Sequence, residues 1–281
     1  MIFFEPFQYQ FMQSAMLAGS MIALMCAVLS CFLILRGWSL MGDAISHAVL
    51  PGIVLAYLAG IPLVIGAFFS GLFCAVGTGF IKQNSRIKED TVMGVVFTGM
   101  FAFGLVLFSK VTSDLHLDHI LFGNILGVSR EQIRETWLIS VLVLAVMIGK
   151  RRDFLLIHFD PAQARVLALP VKFLHYLLLC LLSLAIVISL KAVGIILVIA
   201  MLITPGATAY LWTDRFDRML LIAAASAVLS TLLGVVISYH INGASGACIV
   251  ILQAMLFFLS LVFAPKYGLL RRRNQTALAG K

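Results

Sequence analysis

Asp43 and His47 carry a carboxylate and an imidazole into a stretch of the chain that is otherwise apolar. Because the two residues are four apart, an α-helix places them on the same face. A carboxylate among membrane-spanning apolar residues is costly unless it lines a cavity, pairs with another group or binds a cation, so it marks a candidate functional site. An Asp oxygen beside a His nitrogen suits Mn(II), Fe(II) or Zn(II) better than Cu(I), which prefers sulfur ligands.

Two donor atoms are too few to complete the coordination shell of such an ion. A second copy of the motif, another helix or water therefore has to supply the rest. A structural interpretation competes with metal binding. Asp43 stands at the start of an apolar run, where an N-capping acid is common, and His47 fits a hydrogen-bonded packing residue. The residues alone leave both interpretations open.

The composition is that of a membrane protein with several spans. The chain has 281 residues, of which 62% are hydrophobic and 11% charged, and its apolar runs repeatedly exceed the roughly 18 residues of a membrane span. The amino terminus carries Glu5 and no Lys or Arg before the first run, unlike a cleavable signal peptide. The five cysteines lie in apolar runs without a CxxC pair, which predicts packing residues rather than disulfides or a zinc knuckle.

Nine apolar runs predict an all-α, polytopic bundle of membrane helices. The runs are 13–35, 43–61, 62–81, 91–108, 136–149, 173–190, 194–212, 219–239 and 247–264. A count of eight stays open, because the run 136–149 is short and Thr204-Pro205-Gly206 interrupts the seventh run. With nine spans and an external amino terminus, 16 basic residues face the cytoplasm and 4 face outward. The positive-inside rule selects this orientation and accounts for the net charge of +8 without nucleic acid.

Small residues spaced four apart predict close helix packing in three places. They are Gly71, Ala75 and Gly79; Gly94, Thr98 and Ala102; and Ser226, Ser230 and Gly234. Pro51-Gly52 and Pro205-Gly206 predict helix breaks, which lipid tolerates only beside protein or a water-filled path. If Arg36 marks the inner surface, Asp43 lies near the cytoplasmic mouth unless the segment 37–42 folds back into the bundle.

The longest cytoplasmic segment, 150–172, predicts a short amphipathic helix. Asp160 is in position to cap it, Pro161 to occupy its first turn, and Pro170 to stop it. Such a helix either lies on the membrane surface or docks into a groove of a soluble partner. The chain has no G-x-x-x-x-G-K-[ST] motif, so ATP hydrolysis by the P-loop route belongs to another subunit. It also lacks H-E-x-x-H, and Ser46 falls on a different helical face from the Asp/His pair, so we do not predict an enzyme.

Over essentially its whole length the chain resembles the membrane permease subunit of the manganese, zinc and iron ABC importers. The motifs that carry the resemblance are Met41-Gly42-Asp43-Ala44-Ile45-Ser46-His47-Ala48-Val49-Leu50-Pro51-Gly52, Ser85-Arg86-Ile87-Lys88-Glu89-Asp90, Leu121-Phe122-Gly123-Asn124-Ile125-Leu126-Gly127 and Thr204-Pro205-Gly206-Ala207-Thr208-Ala209. The chain looks most like the enterobacterial manganese/iron systems that pair two paralogous permeases with one periplasmic binding protein and one ATPase. The resemblance implies a type II ABC importer-like bundle of eight or nine helices in the bacterial inner membrane.

The resemblance also implies a dimer of permease chains, identical or paralogous, around a central pathway. The family's metal-contacting Asp and His fall on Asp43 and His47, so two copies supply up to four ligands. The transported ion is the substrate, and no permanently bound cofactor is expected. The family's coupling helix, which docks into the ATPase, falls on Asp160, Pro161, Gln163, Ala164, Arg165, Leu167 and Leu169. Ala162 stands where an acid is usual, and Ala168 where a glycine is usual.

We therefore expect a single membrane domain over 1–281, with a bundle at about 13–266, the coupling loop 150–172 and a basic cytoplasmic tail, 267–281. The leading hypothesis is ATP-driven import of Mn(II), Fe(II) or Zn(II) delivered by a periplasmic binding protein. Its alternatives are a proton-coupled secondary metal transporter, in which Asp43 and His47 relay protons, and an intramembrane metalloenzyme. His116, Asp118 and His119 form either an outer loading site or, as we prefer, a solvated loop.

Overall fold

The computed structural model describes residues 8–110 and 125–268. In these ranges the chain forms eleven α-helices and one short 3-10 turn, Ile125–Gly127. In chain order the helices are α1 (Gln10–Arg36), α2 (Met41–Ala59), α3 (Leu63–Asn84), α4 (Glu89–Lys110), α5 (Arg130–Gly149), α6 (Arg151–Phe159), α7 (Pro161–Val166), α8 (Val171–Val193), α9 (Ile195–Trp212), α10 (Phe216–Ile241) and α11 (Ser245–Phe263).

Nine of the described helices, all except α6 and α7, are long and apolar enough to cross a membrane. This confirms the nine predicted runs. The fifth span is longer than the predicted run 136–149, because α5 begins at Arg130 and includes the charged residues before that run. A capping box explains its start. The Gln132 N–H donates to Ser129 Oγ at 3.2 Å, and the Ser129 N–H donates to Gln132 Oε1 at 2.9 Å.

Both predicted helix breaks are wrong, since Pro51 lies inside α2 and Pro205 inside α9. In α9 a hydroxyl from α1 helps to satisfy the backbone around the proline. The Gly206 N–H donates to Ser30 Oγ at 2.9 Å, and the Ser30 hydroxyl donates to the Ile203 carbonyl at 3.2 Å. The helices approach so closely that a Cβ on Gly206 would lie 2.5 Å from Ser30 Oγ. Neighbouring protein therefore compensates for the backbone hydrogen bonds that proline disturbs.

The chain divides into two compact units. The first comprises the described residues of 1–39, 124–137 and 200–281, and it is built on α1, α10 and α11. Small residues allow its helices to meet. A Cβ on Gly19 would lie 2.9 Å from the Thr231 side chain, and a Cβ on Gly234 would lie 2.5 Å from that of Ile249.

The second unit comprises the described residues of 40–123 and 138–199. Its centre is α2, which packs on α3 and α4, while α3 also packs on α8. At the α2–α3 crossing a Cβ on Gly52 would lie 2.1 Å from the Gly66 carbonyl oxygen, so neither glycine tolerates a side chain. Beside this crossing the Ser70 hydroxyl donates to the Ala48 carbonyl at 2.6 Å. Both contacts fix α2, the helix that carries the Asp/His pair.

The three predicted small-residue stripes have different outcomes. Gly71 lies against Ile45, and Gly234 lies against Ile249, so their stripes pack inside the chain as predicted. The stripe of Gly94, Thr98 and Ala102 does not. A Cβ on Gly94 would meet nothing within 4 Å, and Thr98 and Ala102 are exposed. In the described part of the chain, the α4 stripe is an open surface.

Candidate metal-binding site

Asp43 and His47 occupy the first two turns of α2. The helix begins at Met41 after Leu40, so Asp43 is its third residue and the predicted N-cap interpretation is wrong. Met41 and Gly42, which precede Asp43, are already helical. A carboxylate in the first turn of a helix is favoured by the helix dipole. The local fold thus stabilises the negative charge at Asp43 independently of any partner.

The two side chains meet in a geometry that suits a shared ion. Asp43 Oδ1 lies 3.3 Å from His47 Nε2. Two donor atoms that bind one ion at about 2.0 to 2.2 Å and about 90 to 110° are roughly 3 to 3.5 Å apart. The side chains are 29% and 28% exposed, respectively, so a solute can reach them from one side. The pair is therefore a candidate site with two donor atoms that are partly exposed.

Aromatic packing surrounds the rest of the His47 ring. Phe97 of α4 stacks on it at 5.9 Å between centroids and 26° between planes, and Phe101 meets it edge-on at 5.1 Å and 77°. The second ring nitrogen, Nδ1, is buried and has no hydrogen-bond partner among the residues that the structure describes. The sequence analysis missed both phenylalanines. The available signal was their spacing of four, which places two rings on one face of α4.

The described chain supplies only part of a coordination shell. In residues 8–110 and 125–268, no group of three or more His, Cys, Asp or Glu side chains is arranged to hold a metal ion. Ser46 points elsewhere, as predicted, because its buried hydroxyl donates to the Gly42 carbonyl at 2.7 Å. His116, Asp118 and His119, the alternative loading site, lie outside the described residues. Among the described residues, Asp43 and His47 are therefore the candidate ligands that lie together.

The predicted coupling segment forms two short helices instead of one. Asp160 caps α7 as predicted, since its Oδ1 accepts a 2.8 Å hydrogen bond from the Gln163 N–H, and Pro161 is the first helical residue. The stretch before Asp160, for which the sequence predicts no helix, folds into α6 and buries Phe154 and Ile157.

The end of α7 differs from the prediction. The helix stops at Val166 and not at Pro170, so Leu167 and Leu169 lie beyond it. Ala168 adopts the left-handed conformation with φ of 53°. The Leu169 N–H then donates to the Ala164 carbonyl and the Ala168 N–H to the Arg165 carbonyl, both at 3.0 Å. These bonds form a Schellman motif, which terminates the helix before proline is reached.

The α7 region presents an unusually apolar surface for a polar segment. Phe159, Val166 and Leu167 are 68%, 84% and 59% exposed. Arg165 stands exposed between them, and Ala164 alone is buried beneath the helix. Exposed apolar side chains around a cation are typical of a protein-binding surface.

Comparisons with known proteins agree on one family. The family model described as "ABC 3 transport family" matches residues 8–264. The chain is 61% identical over 259 residues to the chelated iron transport system membrane protein YfeD of Yersinia pestis, covering 92% of this chain and 87% of that one. It is 49% identical over 266 residues to the manganese transport system membrane protein MntB of Synechocystis, covering 95% and 87%.

A solved structure extends the similarity to the fold. The chain superimposes on a chain of PsaBC from Streptococcus pneumoniae, determined in complex with Fab, with a TM-score of 0.86 and 39% sequence identity. The match covers 96% of this chain and 98% of that one. The resemblance inferred from the motifs is thus confirmed, and the chain belongs to the ABC 3 transport family.

Proposed function

We propose that the protein is the permease subunit of an ATP-driven importer of divalent transition-metal ions, Mn(II) or Fe(II) and also Zn(II). The observation that carries the proposal is the 3.3 Å approach of Asp43 Oδ1 to His47 Nε2 on an apolar, membrane-length helix. The names of the similar manganese and chelated-iron transport proteins support the same ion class. Membership of an ABC family favours this function over the proton-coupled alternative.

The ion is substrate in this proposal, and the permease has no catalytic role. A conducting site has to bind strongly enough for the ion to enter and weakly enough for it to leave. A site assembled from two donors on each of two chains can open and release the ion when the chains move apart, whereas a closed site within one chain holds structural zinc permanently. A hydrolytic metalloenzyme would need further ligands and a nucleophile, and the described residues bring neither to Asp43.

We propose that a second permease chain, identical or paralogous, completes the site. The open α4 stripe of Gly94, Thr98 and Ala102 supports this, because small residues let membrane helices approach closely. The stripe lies on the same helix as Phe97 and Phe101, which contact His47. A chain docked there would approach the pair.

The remaining partners follow from the same proposal. The exposed surface of Phe159, Val166 and Leu167 would dock on a cytoplasmic ATPase, and a periplasmic binding protein would deliver the ion. The distribution of basic residues supports an inner-membrane orientation with the amino terminus in the periplasm and the carboxyl terminus in the cytoplasm.

Uptake of radioactive Mn(II) by cells that carry the whole transporter tests the proposal. Asp43→Asn and His47→Ala should each reduce the initial uptake rate at least about tenfold, because each removes a donor from the ion. Asp90→Asn is the matched control, since Asp90 is an exposed acid at the start of α4. The amount of permease in the membrane is measured by immunoblot in every strain. Normal uptake by both donor variants would refute the proposed site.

A further inference from the structure

We propose that Phe97 and Phe101 are positioning residues for the ion, because they hold the plane of the His47 ring beside Asp43. The inference rests on the proposed function and deepens it. Most metal-binding histidines are oriented by a hydrogen bond from the second ring nitrogen to a carboxylate, carbonyl or water. Within residues 8–110 and 125–268, His47 has no such hydrogen bond, because its buried Nδ1 meets no partner there. Something else has to fix the ring.

The two phenylalanines constrain different motions of the imidazole. Phe97 lies nearly parallel to the ring at 26°, and Phe101 stands nearly perpendicular to it at 77°. The Phe97 contact opposes tilting of the imidazole plane, and the Phe101 contact opposes rotation of the imidazole ring. Stacked and edge-on aromatic contacts of this kind are favourable beyond the area they bury. Packing thus sets the plane of the imidazole.

Packing alone does not choose between the two flipped orientations of the ring. A half-turn about the Cβ–Cγ bond would leave the ring in the same plane and place Cε1 where Nε2 now lies. The 3.3 Å contact between Nε2 and Asp43 Oδ1 selects the productive orientation. The phenylalanines therefore set the plane of the imidazole, and Asp43 sets which edge of the ring carries Nε2.

A separate contact between α4 and α2 fixes where the Phe97 and Phe101 rings lie along the length of α2. Gly104 of α4 sits against Pro51, where an added Cβ would lie 2.9 Å from the proline nitrogen and 3.1 Å from Leu50 Cγ. Pro51 is one turn beyond His47, and Gly104 is about one turn beyond Phe101. The two helices are thus in register at both levels, and the close glycine contact holds the rings opposite the imidazole.

The arrangement suits transient binding. A hydrogen bond to the second ring nitrogen makes a histidine a stronger ligand, and His47 forms none with the described part of the chain. Packing orients the imidazole but does not make its nitrogen a stronger ligand for the ion. The site therefore offers a correctly placed nitrogen without the added affinity that would slow release of the ion.

Mn(II) binding to the purified permease–ATPase complex tests the inference without requiring transport. Phe97→Leu and Phe101→Leu each remove a ring and retain an apolar side chain. We expect the Kd for Mn(II), measured by electron paramagnetic resonance, to rise about tenfold in each, the lower end of the range for lost outer-shell partners. Phe103→Leu is the matched control, because Phe103 is exposed on the same helix. Phe101→Tyr keeps the ring and should bind Mn(II) within about twofold of the wild-type Kd.

A spectroscopic signature separates positioning from general damage. The wild-type complex should show ¹⁴N coupling of bound Mn(II) to a directly ligated imidazole. At saturating Mn(II) this coupling should weaken in the leucine variants, while Asp43 still binds the ion. Wild-type Kd and coupling in both leucine variants would overturn the inference, as would equal losses in Phe101→Leu and Phe101→Tyr. Wild-type Mn(II) binding in Asp43→Asn would instead overturn the proposed function, so the two failures are distinguishable.

Discussion

Gly104 of α4 lies against Pro51 of α2, one turn beyond His47, with no room for a β-carbon between them. The contact brings together a proline and a glycine from separate apolar runs of the sequence. Pro51 has no backbone N–H, and Gly104 has no side chain. The backbones of α2 and α4 can therefore approach closely at this point. The same pair of helices holds the imidazole one turn earlier.

Gly104→Ala should move α4 away from α2. The new methyl group would meet backbone atoms of Pro51 rather than a flexible side chain, so we expect destabilisation of about 1 to 3 kcal/mol, as for other overpacked positions. We also expect weaker Mn(II) binding, because the phenylalanine rings move with the helix. Thermal unfolding and Mn(II) titration of the purified complex measure the two effects.

Gly99→Ala is the matched control for that experiment. Gly99 lies on α4, and a Cβ there would meet nothing within 4 Å. Alanine should therefore be neutral or should stabilise the helix by about 0.5 to 1 kcal/mol, since it is the better helix former. Equal unfolding temperatures and equal Mn(II) affinities in the two variants would show that the Gly104 contact does not matter.

The sequence predicts the spans and the metal-binding pair because both depend on local chemistry. Long apolar runs form helices in lipid, and a single carboxylate among them is costly unless it pairs with another group, lines a cavity or binds a cation. Asp43 and His47 meet because their spacing of four is that of a helical turn. The cap at Asp160 is equally local, since the acceptor and the Gln163 N–H are three residues apart.

What the sequence could not predict depends on residues distant in the chain. Pro205 looked like a break because Ser30, which bonds to Gly206, is more than 170 residues away. Phe97 and Phe101 are two of many phenylalanines in the chain until the fold places them against His47. The early end of α7 depends on Ala168, which adopts a left-handed conformation that alanine rarely takes. The high helix propensity of alanine therefore did not predict a helix end at this position.

Ala168→Gly should stabilise the coupling segment. Alanine in the left-handed region costs roughly 1 to 2 kcal/mol that glycine does not pay, and the resemblance places a glycine at this position. Hydrogen exchange of the Leu169 amide, which bonds to the Ala164 carbonyl, should slow about fivefold or more. Ala162→Gly, an exposed site inside α7, should have the opposite effect and accelerate exchange. Faster exchange in Ala168→Gly would contradict the assignment of strain at this residue.

Val166→Glu should weaken attachment of the ATPase. Val166 is the most exposed side chain of the α7 surface at 84%, and a buried unpaired carboxylate at a docked interface costs several kcal/mol. Co-purification of the ATPase with the tagged permease should fall about tenfold or more. Ala162→Glu introduces the same charge on α7, at the position where the resemblance expects an acid, and should leave co-purification unchanged. Retention of the ATPase by Val166→Glu would place the docking surface elsewhere.

Thr98→Cys should form a disulfide between permease chains in oxidised membranes. Thr98 is exposed in the middle of the α4 stripe, and two such stripes can approach closely enough for a disulfide, whose Cα atoms are about 5.5 to 6 Å apart. The native cysteines at positions 26, 31, 74, 180 and 248 are first replaced by alanine. Phe103→Cys, exposed on α4 but five residues from Thr98 and so on a different helical face, is the control and should remain monomeric on a non-reducing gel. If the permease pairs with a paralogue, the cross-linked band contains both chains, and mass spectrometry identifies the partner. A cross-link at Phe103 and none at Thr98 would exclude the α4 stripe as the contact that completes the ion site.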